Sequence, residues 1–275
     1  MSLQKLCNSS LRHACGAVLF LLLLGPILIG CAGSPSASDG QGDMMTTSDE
    51  PEQRKRARIR LELAVSYFEQ GQTAVALDEL KQSLVLDPNY MPAHNLRGLI
   101  YMRLNELKLA EDSFKRALTL APRDGNVLHN YGWLLCQQSR FAESSQSFTQ
   151  ALANPTYSAR AKTWLTQGLC EIRAGKPAEA EFSLNRSLEL DAGNPVTGYN
   201  LALLLYQRGE LVRAQFYIRR INNSELANAE TLWLGMRVER KLDNQIALQQ
   251  LAAQLDKRFP QSRELQAYQR GQFDD

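Results

Sequence analysis

The side chains of this 275-residue chain that could form covalent bonds or hold a metal are few: Cys7, Cys15, Cys31, Cys136 and Cys170, with three histidines. Cys31 stands out by what precedes it. An uninterrupted apolar run from Ala17 to Leu24 leads through Gly25-Pro26 to Leu28-Ile29-Gly30-Cys31. A thiol placed behind a small residue at the end of such a run can be alkylated by lipid, forming a thioether. The remaining groups offer less. His94 and His129 have no carboxylate or cysteine at ligand spacing, and His129 and Cys136 would lie about 10 Å apart on one helix, too far for one zinc. There is no glycine-rich phosphate loop, no nucleophile elbow and no paired-carboxylate loop. We therefore expect no catalytic residue, no metal, no cofactor and no small-molecule substrate.

The apolar run is too short for a permanent membrane helix, and the segment before it is short and weakly basic through Lys5 and Arg12. That is the form of a secretory signal peptide, expected over 1–30 and removed together with Cys7 and Cys15. Leu28-Ile29-Gly30-Cys31 resembles the bacterial lipobox, which implies diacylation at Cys31 after cleavage before it. Ala32, in place of Asp, implies sorting to the outer membrane, with the folded body facing the periplasm. Two or more acyl chains give stable anchoring. Residues 31–56 then read as a lipidated N-terminus and a Gly/Ser/Asp-rich tether. Formal charge is +2, from 31 Lys+Arg against 29 Asp+Glu. Loss of Lys5 and Arg12 leaves a neutral body without a basic cluster, which argues against nucleic acid as a partner.

Beyond the tether the sequence repeats. Ala64, Gly98 and Gly132 are spaced by 34 residues, and Gly168, Ala202 and Gly235 continue at about that period. Twelve positions after each anchor stands a small residue: Ala76, Ala110, Ser144, Ala180, Ala214, Ala247. Four further on comes a bulky apolar one: Leu80, Phe114, Phe148, Leu184, Ile218, Leu251. Pro88, Pro122, Pro155, Pro195 and Pro260 close the units. This pattern resembles the tetratricopeptide repeat. It implies an all-α, right-handed superhelical stack of six helical hairpins over 57–262, divided as 57–90, 91–124, 125–160, 161–194, 195–227 and 228–262, with a capping segment at 263–275. Small residues sit where two helices cross, and glycine or asparagine (Gly71, Asn105, Gly175, Gly209) turns the chain between them. One hairpin cannot bury its own apolar face, so stacking is obligatory. Cys136 and Cys170 fall on neighbouring helices at unmatched heights, so two separate buried thiols are expected, with a bridge as the alternative.

The first helix of each hairpin is expected to line the concave face. In repeats one and two that places Leu61, Val65, Phe68, Asn95, Leu99 and Met102 along a candidate groove, and in repeat three His129, Trp133 and Cys136. Repeats four and five contribute Leu165, Leu169, Ile172, Tyr199, Leu203 and Tyr206. The groove reads as apolar and aromatic, without the Lys/Asn/Arg set of a carboxylate clamp, and suits a hydrophobic protein segment. Phe68 and Trp133 are the leading contact candidates.

Four stretches are similar to type IV pilus biogenesis lipoproteins of the PilF/PilW type: Val127-Leu128-His129-Asn130-Tyr131-Gly132, Pro155-Thr156-Tyr157, Gly175-Lys176-Pro177-Ala178 and Leu234-Gly235-Met236-Arg237. The resemblance implies a pilotin, which brings pilus secretin subunits to the outer membrane and promotes their multimerisation. Two other roles fit the same architecture: a periplasmic adaptor scaffolding cell-envelope enzymes, or a subunit of an outer-membrane protein assembly machine.

Overall fold

The structure, a computed structural model, describes residues 49–273. The expected signal segment, Cys31 and most of the tether lie outside the described residues. Among the described residues there are thirteen helices and no strand. They run α1 (Glu52–Glu69), α2 (Thr73–Leu86), α3 (Met91–Arg103), α4 (Leu107–Leu120), α5 (Gly125–Gln137) and α6 (Phe141–Ala153). The second half is α7 (Arg160–Arg173), α8 (Pro177–Leu190), α9 (Pro195–Gln207), α10 (Leu211–Asn222), α11 (Ala229–Lys241), α12 (Gln245–Arg258) and the short α13 (Arg263–Gln269). Consecutive pairs form hairpins, and first helices also pack beside first helices, α1 on α3, α3 on α5, α5 on α7 and α9 on α11. The result is a superhelical stack.

The crossing inside each hairpin follows from residue size. Gly98 carries the ring of Phe114 where a side chain would start, so that a Cβ would lie 2.6 Å from Cζ. Gly132 meets Phe148 in the same way, and Gly168 meets Leu184. These bulky residues are fully buried, as are Ala76, Ala110, Ala180 and Ala214. Burial of one such ring contributes about 2 kcal/mol or more. The sixth hairpin is looser: Ala247 and Leu251 are half-buried, and only short α13 covers its far side.

The turn within each hairpin has one geometry throughout. Gly71, Asn105, Ser139, Gly175, Gly209 and Asp243 all have positive φ, between 56° and 79°. In the first turn Gln72 N–H donates to Tyr67 C=O, closing the left-handed helix cap, and Arg140 to Leu135 repeats it in the third. Side chains with a Cβ occupy this conformation at Ser139 and Asp243, where the sequence carries no glycine signal.

Two boundaries differ from expectation. Helix α1 starts at Glu52, five residues before 57, because Pro51 initiates it and Arg54 is held by Asp87 and by the Tyr90 ring, 4.9 Å away. Pro195 does not close a hairpin. It is the first residue of α9, a place where its missing N–H costs nothing.

Two glycines separate the packing and backbone contributions. Gly98→Leu should lower stability by about 3 kcal/mol through overpacking against Phe114. At Gly209 a Cβ meets nothing within 4 Å, so Gly209→Ala should cost only about 1 kcal/mol, for its φ of 78°. Denaturant melts of the two variants check the order.

Candidate functional site

The residues predicted to line a groove occupy the first helices of hairpins one to five. Of these, Leu61, His129 and Tyr206 are buried, and Val65, Phe68, Asn95, Leu99, Met102, Trp133, Leu165, Leu169, Ile172, Tyr199 and Leu203 are half-buried. Half-burial is what a groove floor requires: one side packs on the core and the other stays open. Val65 and Phe68 lean on the core of the first hairpin, Leu99 and Met102 on that of the second. Leu165, Ile172, Tyr199 and Leu203 pack against one cluster that includes Tyr206.

His129 is not a free contact group. Its Nδ1 lies 2.9 Å from Thr163 Oγ1, which is 2.8 Å from the Tyr157 hydroxyl. Tyr157 comes from the irregular junction between hairpins three and four, and its ring covers Gly125. The three side chains form a buried polar plug that stitches α5 to α7. Burial, and then the charge of Lys162, lower the His129 pKa to about 4.

Cys136 and Cys170 are bonded as a disulfide, with Cα atoms 5.9 Å apart. This corrects the expectation of separate thiols. Parallel neighbouring helices touch through opposite sides, so equivalent repeat positions cannot face each other. Cys136 is four residues after its anchor and Cys170 two after its own. An offset of two residues rotates a side chain by about 200°, toward the neighbour. Trp133 packs against the cluster that this bridge forms with Phe148.

The predicted groove face is also less apolar than the sequence suggested, because each of three aromatic rings carries a cation from the first helix of the next hairpin. The Arg103 guanidinium lies 4.0 Å from the Phe68 ring centroid and donates to Phe68 C=O at 2.7 Å. Arg173 stands 5.9 Å over Trp133. Tyr206 is flanked by Arg237 at 4.7 Å and Lys241 at 4.3 Å. Asn130 Nδ2 donates to Asn95 Oδ1 at 3.0 Å across α5 and α3. At the far end, a hollow of about 400 Å³ includes Tyr199, Trp233, Arg237 and Arg263. Among the described residues, no group of three or more His, Cys, Asp or Glu could hold a metal. No described helix is long and apolar enough to cross a membrane.

Comparison with known proteins fits this architecture at two levels. The tetratricopeptide repeat model matches residues 61–125 and 132–195. The type IV pilus assembly protein PilF of Pseudomonas aeruginosa is 30% identical over 253 residues, which are 92% of this chain and 97% of that protein. The chain belongs to the PilF family. A solved structure of Pseudomonas aeruginosa PilF, from its functional characterization, superposes with a TM-score of 0.71 at 28% identity, covering 80% of this chain and 100% of that one. The crystal structure of PilW, described as a widely conserved type IV pilus biogenesis factor, superposes with a TM-score of 0.70 at 32% identity, covering 78% and 98%.

The central clamp yields two expectations. Replacing both cysteines with alanine should cost roughly 3–4 kcal/mol, the loop-closure value for their separation of 34 residues, read as a drop in denaturation midpoint. The His129 pKa is depressed in the fold, and an unfolded imidazole titrates near 6.5. Between pH 6.5 and 4 the unfolded chain binds a proton that the folded one does not. Stability should therefore be flat above pH 7 and fall as pH drops through that window. His129→Gln should flatten the slope in stability measured from pH 7 to 4.5. His94, shifted the same way chiefly by burial, leaves a residual slope.

Proposed function

We propose that the chain is an outer-membrane lipoprotein acting as an assembly factor in type IV pilus biogenesis, a pilotin for the pilus secretin. The observation that carries this reading is family membership over nearly the whole length of a pilus assembly protein, 97% of it, and not over a repeat fragment alone. The half-open groove supports a protein partner. It offers half-buried apolar and aromatic side chains suited to a peptide segment.

In this mechanism acylated Cys31 supplies the address, and the body stands in the periplasm on its tether. The first-helix groove takes a segment of a secretin subunit. Holding subunits at one membrane raises their effective concentration and favours ring assembly without covalent chemistry.

The reading predicts that deleting the gene removes both the heat-resistant secretin multimer on unheated gels and surface pili. Cys31→Ser should leave the body folded while stranding the chain, and the secretin with it, away from the outer membrane. Multimers and pili that persist in the deletion strain contradict the pilotin role, and unchanged fractionation of Cys31→Ser contradicts the lipid address.

A further inference from the structure

We propose that the groove selects a segment in which apolar residues are interspersed with Asp or Glu, the carboxylates pairing with the cations that cap the groove aromatics. The inference deepens the partner-binding reading above and rests on it for the groove itself.

The cations are placed by the fold. Arg103, Arg173 and Lys241 fall in the last turns of α3, α7 and α11, where a positive side chain also meets the helix dipole favourably. Each reaches back over an aromatic ring of the preceding hairpin: Phe68, Trp133 and Tyr206 respectively. A guanidinium lying on a ring keeps its N–H edge available, and Arg103 is fixed further by its bond to Phe68 C=O. Arg103, Arg173 and Lys241 are exposed and ion-paired to no described residue. That contrasts with the flanks of the stack, where Arg140, Arg208 and Arg213 are tied to carboxylates.

The acids of the same last turns do not neutralise these cations. Glu171 accepts from Gln167 and Ser183, and buried Glu239 accepts from Arg219, Gln215 and Asn244. Exposed Glu69 follows Phe68 at the end of α1, and Glu230 and Glu264 line the far hollow, where both pair with Arg263. From hairpin one to hairpin four the face therefore presents the half-buried Phe68 and Trp133 rings edged by positive charge, while Tyr206 is buried beneath Arg237 and Lys241. A purely apolar segment would leave those cations desolvated and unpaired, which costs binding energy. A basic segment would be repelled. Carboxylates on the segment would instead form charge-assisted hydrogen bonds.

The capped aromatics come from hairpins one, three and five. With neighbouring helix axes 8–10 Å apart, successive cations stand roughly 20 Å from each other, about six residues of extended chain.

The test uses three synthetic 15-residue peptides of alternating Leu and Ser, carrying Glu, Gln or Lys at positions 1, 7 and 13, titrated against the full chain in detergent. We expect the Glu peptide to bind at least tenfold more tightly than the Gln peptide, with the difference lost in 0.5 M salt. Arg103→Gln with Arg173→Gln should abolish the preference, and Arg103→Glu with Arg173→Glu should transfer it to the Lys peptide. Equal binding of the three peptides, including none by any, or a preference unchanged in the double variants, overturns the inference. Secretin is absent from this assay, so its outcome is separate from the fate of the pilotin reading.

Discussion

The closeness of helix crossings is the constraint on which this structure rests. Where Gly98, Gly132 and Gly168 replace a side chain with a hydrogen, the facing Phe114, Phe148 and Leu184 reach the opposite backbone, and two helices become one thin hairpin. A thin hairpin has two apolar faces and can cover neither alone, so the next must stack on it. Repetition of that contact sets the helix order and a row of core clusters along the stack. The sixth hairpin, half-covered, shows what the contact is like with only α13 beyond it.

The stack is fastened most heavily where its repeat is irregular. Extra residues between α6 and α7 would loosen the fit of one hairpin on the next. Tyr157 fills the opened space above Gly125, its hydroxyl joins Thr163 and His129, and the Cys136–Cys170 bridge ties α5 to α7 on the groove side. Trp133 packs against the cluster of this bridge and Phe148, under Arg173, so this contact residue is backed by a covalent tie between α5 and α7. A rigid central contact loses less conformational entropy when a partner binds.

Much of this was legible in the sequence, and the exceptions share a cause. Spacing alone identified the crossings, because a small residue followed twelve and sixteen positions later by small and bulky ones is a one-dimensional record of a hairpin. The same register placed the predicted contact residues on the first helices, where most of them are half-buried. What the register could not carry was contact between hairpins. The disulfide joins positions two residues out of register, and the cations reach their rings from separations of 31 to 40 residues, as with Arg237 and Arg173, and so hid inside a stripe that reads as apolar. Turn chemistry was visible where glycine or asparagine marks positive φ, and silent at Ser139 and Asp243, whose side chains give no such signal. The start of α1 was missed because its first turn, Glu52-Gln53-Arg54-Lys55, is polar like the tether before it, and Asp87 and Tyr90 recruit it from a distance.

The central claim is that the first-helix face is the working surface of the molecule. Site-specific photo-crosslinking in piliated cells tests it most directly, with a photoreactive residue at Met102 or Leu169 in the groove and, for comparison, at exposed Phe216 on α10. The account predicts a crosslinked adduct containing secretin from both groove positions and none from Phe216. Adducts from Phe216 with silence from Met102 and Leu169 would contradict it and move the partner to the outer face of the stack.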